Sequence, residues 1–212
     1  MCDERLKTNS EDFDVLSWYE ELSSGYDELY GEEQRRKFLW VVKEASSVSY
    51  VRSGNPVILD LGCGTGSLAG FLLDGFSSKG SPYYVGLDLS PSMCFLSRGR
   101  ISDAELLGDV VAGDIFRPPF RERVADAVFS ITALTCGSFV EGVVQIIENL
   151  VKEGGLLFYT ILCSDLSKIP RGGLEVCEAT TYLSEREVLC VVKSVPTLVS
   201  KVSFDGLESR EG

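Results

Sequence analysis

The 212-residue sequence contains no histidine, and this absence removes several kinds of active site. Without an imidazole, neither a Ser-His nor a Cys-His nucleophile pair can form, and no histidine can act as a general base. Seven cysteines are present, but none form a CxxC pair, so the usual zinc constellations are missing and we predict no metal site. The scattered cysteines predict unpaired thiols in a reducing compartment, most of them small core residues.

Long apolar runs are also missing. No segment approaches the ~20 apolar residues that a membrane-spanning helix needs. The opening MCDERLKTNSEDFD is too acidic and polar for a signal peptide. We therefore expect a cytoplasmic protein without a membrane partner.

Positive charge is scarce, with 20 Lys and Arg against 32 Asp and Glu, which leaves a net charge of −12. A surface of this sign repels a phosphate backbone, so direct binding to nucleic acid is disfavoured. Five arginines nevertheless cluster in one part of the chain: Arg98, Arg100, Arg117, Arg121 and Arg123. This cluster keeps RNA open as an alternative partner.

The chain contains no internal repeat or low-complexity linker, which indicates one domain with an N-terminal extension. Apolar residues at helical spacing predict one helix from Asp12 to about Tyr30 and another from about Glu32. We expect residues 1–50 to form a helical extension, 51–204 the main domain and 205–212 a tail.

Beyond the extension, predicted strands alternate with predicted helices. The strands are Val57–Leu61, Tyr83–Leu87, Leu106–Ala112, Ala125–Ile131 and Leu156–Leu162. This alternation is typical of an α/β fold with a parallel sheet and helices on both faces. Two β-rich runs without a long helix between them, Leu174–Leu183 and Glu187–Lys193, predict an antiparallel hairpin at one edge. A further apolar run, Thr197–Phe204, predicts a strand or a packed tail.

A glycine-rich turn follows the first predicted strand in Val57–Gly66, VILDLGCGTG, and leads into a helix. Glycines at this place allow a ligand to approach the main chain closely. A dinucleotide loop of the G-x-G-x-x-G type would need glycine where Ser67 stands. The Asp60 carboxylate would repel a pyrophosphate by about 4 kcal/mol at 4 Å and an effective dielectric constant of 20, and would attract an ammonium group. The loop therefore predicts a ligand with positive charge.

Acidic residues also follow the next two strands. Asp88 is positioned to accept hydrogen bonds from both hydroxyls of a ribose, although it could instead cap the helix that begins near Pro91. Asp114 can accept a hydrogen bond from an adenine amine. Leu89, Met93 and Ile115 offer apolar surfaces to the adenine ring.

Four segments, taken together, resemble the ordered motifs of class I S-adenosylmethionine-dependent methyltransferases. They are Asp60–Gly66 (DLGCGTG), Gly86–Asp88 (GLD), Gly113–Ile115 (GDI) and Asp126–Ser130 (DAVFS). Lys152–Gly155 (KEGG) also resembles that family's Lys-Pro-Gly-Gly turn, with Glu153 in place of proline. The resemblance covers about residues 13–193 and is nearest to the small ubiquinone-biosynthesis-like group, methyltransferase type 11.

This resemblance implies a Rossmann-like, doubly wound, seven-stranded sheet in the order 3-2-1-4-5-7-6, with S-adenosyl-L-methionine as cofactor. It implies that the methionine moiety lies among Asp60, Gly62, Cys63, Gly64 and Gly66. It also implies that Asp88 holds the ribose, that Asp114 and Ile115 hold the adenine, and that Ser130 lies near the reacting centre. The N-terminal aromatic segment resembles a helical lid of the same group, with Tyr19 and Tyr26 as catalytic candidates facing the sulfonium.

The resemblance leaves the methyl acceptor open. After the fourth strand the chain has Ser130-Ile-Thr-Ala, not the Asn/Asp-Pro-Pro-Tyr/Phe signature used on planar nitrogens of adenine or glutamine. We expect transfer to an O, N or C atom of a small molecule. The alternatives are an RNA or protein methyltransferase working with a partner subunit and a non-catalytic cofactor-binding subunit. A nicotinamide-dependent oxidoreductase is disfavoured by Asp60 and Ser67.

Overall fold

A seven-stranded sheet in the order β3-β2-β1-β4-β5-β7-β6 forms the centre of the molecule. The computed structural model describes residues 15–47, 54–76, 78, 80–136, 140–169, 177 and 179–192. The strands are β1 Val57–Leu61, β2 Tyr83–Asp88, β3 Gly108–Ala112, β4 Ala125–Thr135, β5 Val151–Leu162, β6 Ala179–Ser184 and β7 Glu187–Val192. The first five pair in parallel, whereas β7 pairs antiparallel with both β5 and β6. The predicted fold class, strand order and edge hairpin are confirmed.

Five α-helices accompany the sheet in the described residues: α1 Val15–Leu22, α2 Tyr26–Ser47, α3 Ser67–Phe76, α4 Pro91–Asp103 and α5 Val140–Leu150. The 3₁₀ turn Ser23–Gly25 separates α1 from α2. The sequence prediction of a second helix starting near Glu32 is wrong, because α2 already begins at Tyr26. At the actual break the Ser23 hydroxyl donates to the Glu20 carbonyl, 2.8 Å away. Serine favours helix ends in this way because it competes for backbone partners.

Two apolar cores lie on opposite faces of the sheet. On one face, Phe38 of α2, Leu72 of α3 and Ile101 of α4 are buried together with strand residues such as Phe129. The Phe129 ring stacks on Phe158 of the neighbouring strand, with centroids 5.3 Å apart. On the other face, α5 is buried through four residues at helical spacing: Val143, Val144, Ile147 and Leu150. None of the described helices is long and apolar enough to cross a membrane.

The cysteines depart from the sequence prediction. Cys136 is bonded to Cys163 and Cys177 to Cys190, with Cα–Cα distances of 4.9 and 5.4 Å. The prediction of unpaired thiols is therefore wrong for these four and confirmed for the buried Cys63 and Cys94. The reason is topological: Cys136 and Cys163 follow the neighbouring strands β4 and β5, so their distance along the chain hides their proximity. Cys2, the Thr197–Phe204 run and the 205–212 tail lie outside the described residues.

Candidate functional site

The glycine-rich turn connects the end of β1 to the start of α3 and lies against the end of β2. The backbone N–H groups of Gly62 and Cys63 both donate to the Leu87 carbonyl, at 2.7 and 3.0 Å. Gly62 has a φ of +77°, and a Cβ atom there would lie 2.4 Å from the Cβ of Ala133. Only glycine fits both the left-handed backbone and the close approach of β4.

Asp88, the last residue of β2, stands at the next strand end. Its carboxylate accepts hydrogen bonds from the backbone N–H of Gly64 at 2.7 Å and of Ser90 at 3.0 Å. Burial raises the pKa of Asp88, and these backbone donors partly offset the effect. The side-chain cap of α4 is Ser90, whose hydroxyl accepts from the N–H of Met93 at 3.1 Å. Asp88 thus ties the glycine loop to β2 and is not the N-cap residue of α4.

A cavity of about 910 Å³, including its open mouth, lies at the carboxyl ends of the parallel strands. Its wall comprises Tyr19, Tyr26, Gly62, Gly64, Leu87–Ser90, Met93, Gly113–Phe116 and Ile131–Ala133. The wall is mostly apolar with a few polar groups, as is common for small-molecule and cofactor sites. The carboxyl edge of an open α/β sheet is also where such folds bind ligands.

Seven of the eleven residues predicted to bind a cofactor line this cavity: Gly62, Gly64, Asp88, Leu89, Met93, Asp114 and Ile115. Both catalytic candidates, Tyr19 and Tyr26, line it as well. The other four, Asp60, Cys63, Gly66 and Ser130, are not part of its wall. The structure therefore brings most of the predicted residues together and separates these four from them.

Asp60 is turned away from the cavity into the core. It is 2% exposed, and its carboxylate accepts a 2.7 Å hydrogen bond from the Tyr84 hydroxyl. Burial raises the pKa of Asp60 from 3.8 to about 7, against the lowering effect of this hydrogen bond. The role predicted for Asp60, contact with an ammonium group, stays a prediction, and the described geometry does not include it.

The other three separated residues are packed against neighbouring elements. The Cys63 thiol is buried 3.9 Å from the Ser97 hydroxyl, and burial raises its pKa, so it is an unreactive thiol. A Cβ on Gly66 would lie 2.4 Å from the same hydroxyl. Ser130 is fully buried in β4, and its hydroxyl has no hydrogen-bond partner among the described residues.

The helices α1 and α2, which we call the lid helices, close one side of the cavity. The rings of Tyr19 and Tyr26 lie 6.5 Å apart between centroids, and burial raises the pKa of both hydroxyls. Each tyrosine is followed in sequence by an acid that contacts the opposite wall. Glu20 accepts hydrogen bonds from the Ser90 hydroxyl at 2.5 Å, from the Ser92 backbone N–H at 3.2 Å and from the Ser92 hydroxyl.

Asp27 makes the second contact between the lid helices and the rest of the site. Its carboxylate accepts a 2.7 Å hydrogen bond from the Thr65 hydroxyl and forms an ion pair with Arg100. Burial opposes ionisation of Asp27, but the Arg100 and Thr65 hydrogen bonds outweigh it and lower the pKa. The two acids thus fasten the lid helices to the glycine loop and to the start of α4.

Sequence reasoning missed several wall residues, above all Ile131–Ala133. The end of the fourth predicted strand, Ala125–Ile131, indicated a site residue in this region, but the residue chosen from it was Ser130. The side chain of Ser130 lies in the sheet interior, whereas the three residues after it leave the regular strand pairing. Ser90, Gly113 and Phe116 border predicted residues and were accessible to the same reasoning.

Residues 59–159 match a family model described as a methyltransferase domain. An 18S rRNA (guanine-N(7))-methyltransferase of Bos taurus is 32% identical over 153 residues, which is 70% of this chain and 46% of the relative. A malonyl-[acyl-carrier protein] O-methyltransferase of Marinomonas sp. (strain MWYL1) is 28% identical over 152 residues, 71% of this chain and 55% of the relative. The chain spans about half the length of these two relatives.

Solved structures share the fold. A protein assigned as an S-adenosyl-L-methionine-dependent methyltransferase from Methanococcus maripaludis superposes with a TM-score of 0.61 at 16% identity, over 91% of this chain and 98% of that protein. A Haloferax volcanii protein assigned as a methyltransferase, solved in complex with the methyltransferase activator Trm112, gives a TM-score of 0.52. It is 21% identical over 72% of this chain and 62% of that chain. At these identities the likeness extends to the fold alone.

Proposed function

Because the chain belongs to the class I S-adenosylmethionine-dependent methyltransferases of the type 11 group, we propose that it transfers a methyl group to a small-molecule acceptor. One observation carries the proposal: a single cavity collects the glycine loop, Asp88, the Asp114–Ile115 pair and the lid tyrosines. These are the residues that the sequence resemblance assigns to the cofactor and to the lid, and they come from five separate parts of the chain.

The wall of the cavity fits S-adenosyl-L-methionine. Gly62 and Gly64 present bare backbone, so a ligand can approach the loop without meeting a side chain. Asp88 is half-buried at the strand end, where a carboxylate can accept hydrogen bonds from ribose hydroxyls. Leu89 and Ile115 supply apolar surface for an adenine ring, and Asp114 supplies a hydrogen-bond acceptor beside them.

When bound, the cofactor supplies an electrophilic methyl group for an in-line displacement. The chain itself contributes alignment and a wall that is largely apolar. A tyrosine hydroxyl has an ordinary pKa near 10 and burial raises it further for Tyr19 and Tyr26, so both keep their protons at neutral pH. Their ring faces favour a nearby positive charge, and their hydroxyls are hydrogen-bond donors, not bases. This arrangement suits an acceptor atom that arrives with a free lone pair, such as a carboxylate oxygen or a ring nitrogen.

The charge distribution favours a small acceptor. Three of the five clustered arginines are engaged within the chain. Arg98 donates to Asp109 and to the Val110 carbonyl, Arg100 pairs with Asp27, and Arg123 donates to the Val151 carbonyl. With a net charge of −12, the remaining surface offers little attraction to a phosphate backbone.

RNA methylation with a partner subunit is the second candidate. It is favoured by the 18S rRNA methyltransferase among the relatives and by the activator-bound Haloferax protein among the structures. A partner could supply the positive charge that this chain lacks.

A two-stage experiment tests the proposal. Calorimetry with S-adenosylhomocysteine first measures cofactor binding, and the absence of binding would overturn the proposed family function. Labelled methyl groups are then followed from S-adenosyl-L-methionine into the small-molecule, RNA and protein fractions of a lysate, with a lysate without added protein as the blank and Asp88→Ala as the variant of weakened cofactor binding. Label in the small-molecule fraction supports the first candidate, and label in RNA supports the second. Binding without any transfer would indicate a non-catalytic subunit.

A further inference from the structure

A bulge in β4, formed by Ile131–Ala133, is part of the cavity wall. The pairing register passes from Ser130 opposite Tyr159 directly to Leu134 opposite Ile161. Three residues, Ile131–Ala133, therefore face the single residue Thr160. A bulge of this kind releases backbone groups from the ladder and redirects them.

Thr132, at the centre of this bulge, has an unusual backbone conformation. Its φ is +62°, in the left-handed region that β-branched residues rarely adopt. Such a conformation is energetically costly and persists only where the surroundings enforce it. Strain of this kind is commonly found at functional sites.

Several polar contacts enforce the conformation of Thr132. Its backbone N–H donates to the Thr160 hydroxyl at 2.6 Å. Its own hydroxyl donates to the Glu187 carboxylate at 2.9 Å, and the Gln34 amide oxygen lies 3.4 Å away. The donors and acceptors come from α2, β5 and β7, so three separate elements hold one residue.

The Glu187 carboxylate that receives the Thr132 hydroxyl is itself fully buried, at the first position of β7. It lies 2.5 Å from the ammonium group of Lys37 in α2, which also contacts Glu33 at 2.8 Å. Burial alone would lower the pKa of Lys37, but these two carboxylates raise it, so the charge is retained. Removing one partner of such a buried pair leaves an uncompensated buried charge and is strongly destabilising. The pair is therefore a rigid support behind Thr132.

On its other side, the bulge meets the glycine loop. The Cβ of Ala133 occupies the space that a side chain on residue 62 would need. The bulge is thus held between the Lys37–Glu187 ion pair and the backbone of Gly62. Carbonyl oxygens that a bulge releases from strand pairing are acceptors, and fixed acceptor dipoles favour a neighbouring positive charge.

We propose that Thr132 is a positioning residue: its hydroxyl, held by Glu187, fixes the Ile131–Ala133 bulge as the wall that favours the positively charged centre of the cofactor. This inference rests on the proposed function. It predicts that the bulge sets the preference for a cationic ligand over a neutral one of the same shape. It assigns no proton transfer to Thr132.

Two ligands that differ in this charge test the proposal. Sinefungin carries an ammonium group beside the position of the sulfur, and S-adenosylhomocysteine is neutral there. Calorimetry compares the affinity of both for the wild-type chain, Thr132→Val, Thr132→Ser and Thr180→Val, the last being a control for hydroxyl loss at an exposed strand position. We expect Thr132→Val to weaken sinefungin at least tenfold more than S-adenosylhomocysteine. Thr132→Ser and Thr180→Val should keep the wild-type ratio.

Equal weakening of both ligands by Thr132→Val, or no change in either, would overturn the proposal. If Thr132→Val fails to fold, Thr132→Ala takes its place, because alanine also removes the hydroxyl and, lacking a β-branch, tolerates the left-handed backbone better than valine. A selective loss of sinefungin then supports the proposal, and an unchanged ratio overturns it. A wild-type chain that binds neither ligand would instead overturn the proposed function, so the two failures are distinguishable.

Discussion

The hydroxyl of Tyr84 in β2 donates a 2.7 Å hydrogen bond to the carboxylate of Asp60 in β1, and both side chains are buried. This contact makes Asp60 part of the core behind the glycine loop. Because burial raises the pKa of Asp60 to about 7, the native state holds a proton that the unfolded chain releases above about pH 4. The neutral acid stabilises the fold at low pH, and this contribution is lost as the pH rises through 7.

Asp60→Asn should remove this pH dependence. Asparagine keeps an acceptor for Tyr84 and cannot ionise, so the variant should gain stability over the wild type by about 2 kcal/mol between pH 5.5 and pH 8. Chemical denaturation at the two pH values measures the difference. A constant gap between the two proteins would show that Asp60 titrates normally.

Asp88→Ala should weaken binding of S-adenosylhomocysteine about ten- to a hundredfold, since hydrogen bonds to a charged group contribute about 1.5–3 kcal/mol. Part of the loss comes from the glycine loop, because Gly64 loses its acceptor. The matched control is Asp109→Ala, an exposed acid on β3. Calorimetry measures both affinities. If Asp88→Ala and Asp109→Ala bound S-adenosylhomocysteine equally well, Asp88 would not be a binding residue.

Gly62→Ala should destabilise the fold by about 1–3 kcal/mol, because the new Cβ would lie 2.4 Å from that of Ala133. Gly70→Ala provides the contrast: it lies in α3 with no atom within 4 Å of the added carbon. This control should gain up to about 1 kcal/mol from helix propensity. Thermal melts measure both changes, and a Gly62→Ala protein as stable as Gly70→Ala would contradict the close approach.

The double variant Glu20→Gln, Asp27→Asn should bind S-adenosylhomocysteine several-fold more weakly, since the two acidic contacts from the lid helices to α4 and the glycine loop lose their charge. Glu21→Gln with Glu28→Gln removes the same charge from exposed neighbouring positions and should have no effect. Titrations at low salt give the sharpest comparison. If the Glu20→Gln, Asp27→Asn variant bound S-adenosylhomocysteine as tightly as the wild type, the two acids would have no role in ligand binding.

Alkylation of the denatured, unreduced chain should label Cys63 and Cys94 but spare Cys136, Cys163, Cys177 and Cys190. Peptide mass mapping identifies the labelled positions. Reduction should then lower the free energy of unfolding by about 2–4 kcal/mol for each bond. Labelling of Cys136 before reduction would contradict its bond to Cys163 and support the unpaired thiols predicted from the sequence.

The regular part of the fold was predictable because local patterns determine it. The β1 limits, Val57–Leu61, and the start of α4 at Pro91 follow from an apolar run and from a proline in the first helical turn. The break between the two N-terminal helices was predicted near Gly31, a residue type common at helix ends, but it lies at Ser23–Gly25. Inside α2, Gly31 has ample space and remains helical.

Within the site, residues at strand ends were predictable and side-chain directions were not. Asp88 is the last residue of β2, Asp114 comes shortly after β3, and both line the cavity. Asp60 also lies near a strand end, but its side chain is directed into the core. The bulge at Thr132 and the cysteine pairs depend on contacts between distant elements, which no local pattern reports.

Glu20 and Asp27, the two acids that fasten the lid helices, also bear on the release of a ligand from the cavity. Tyr19 and Tyr26 form part of the wall, while Glu20 and Asp27 bind the elements beside it, so any widening of the cavity on this side must break both sets of contacts. Such openings are commonly slower than bond making in enzymes with closed sites. If the chain transfers methyl groups as proposed, we expect release of the demethylated cofactor to limit the turnover rate.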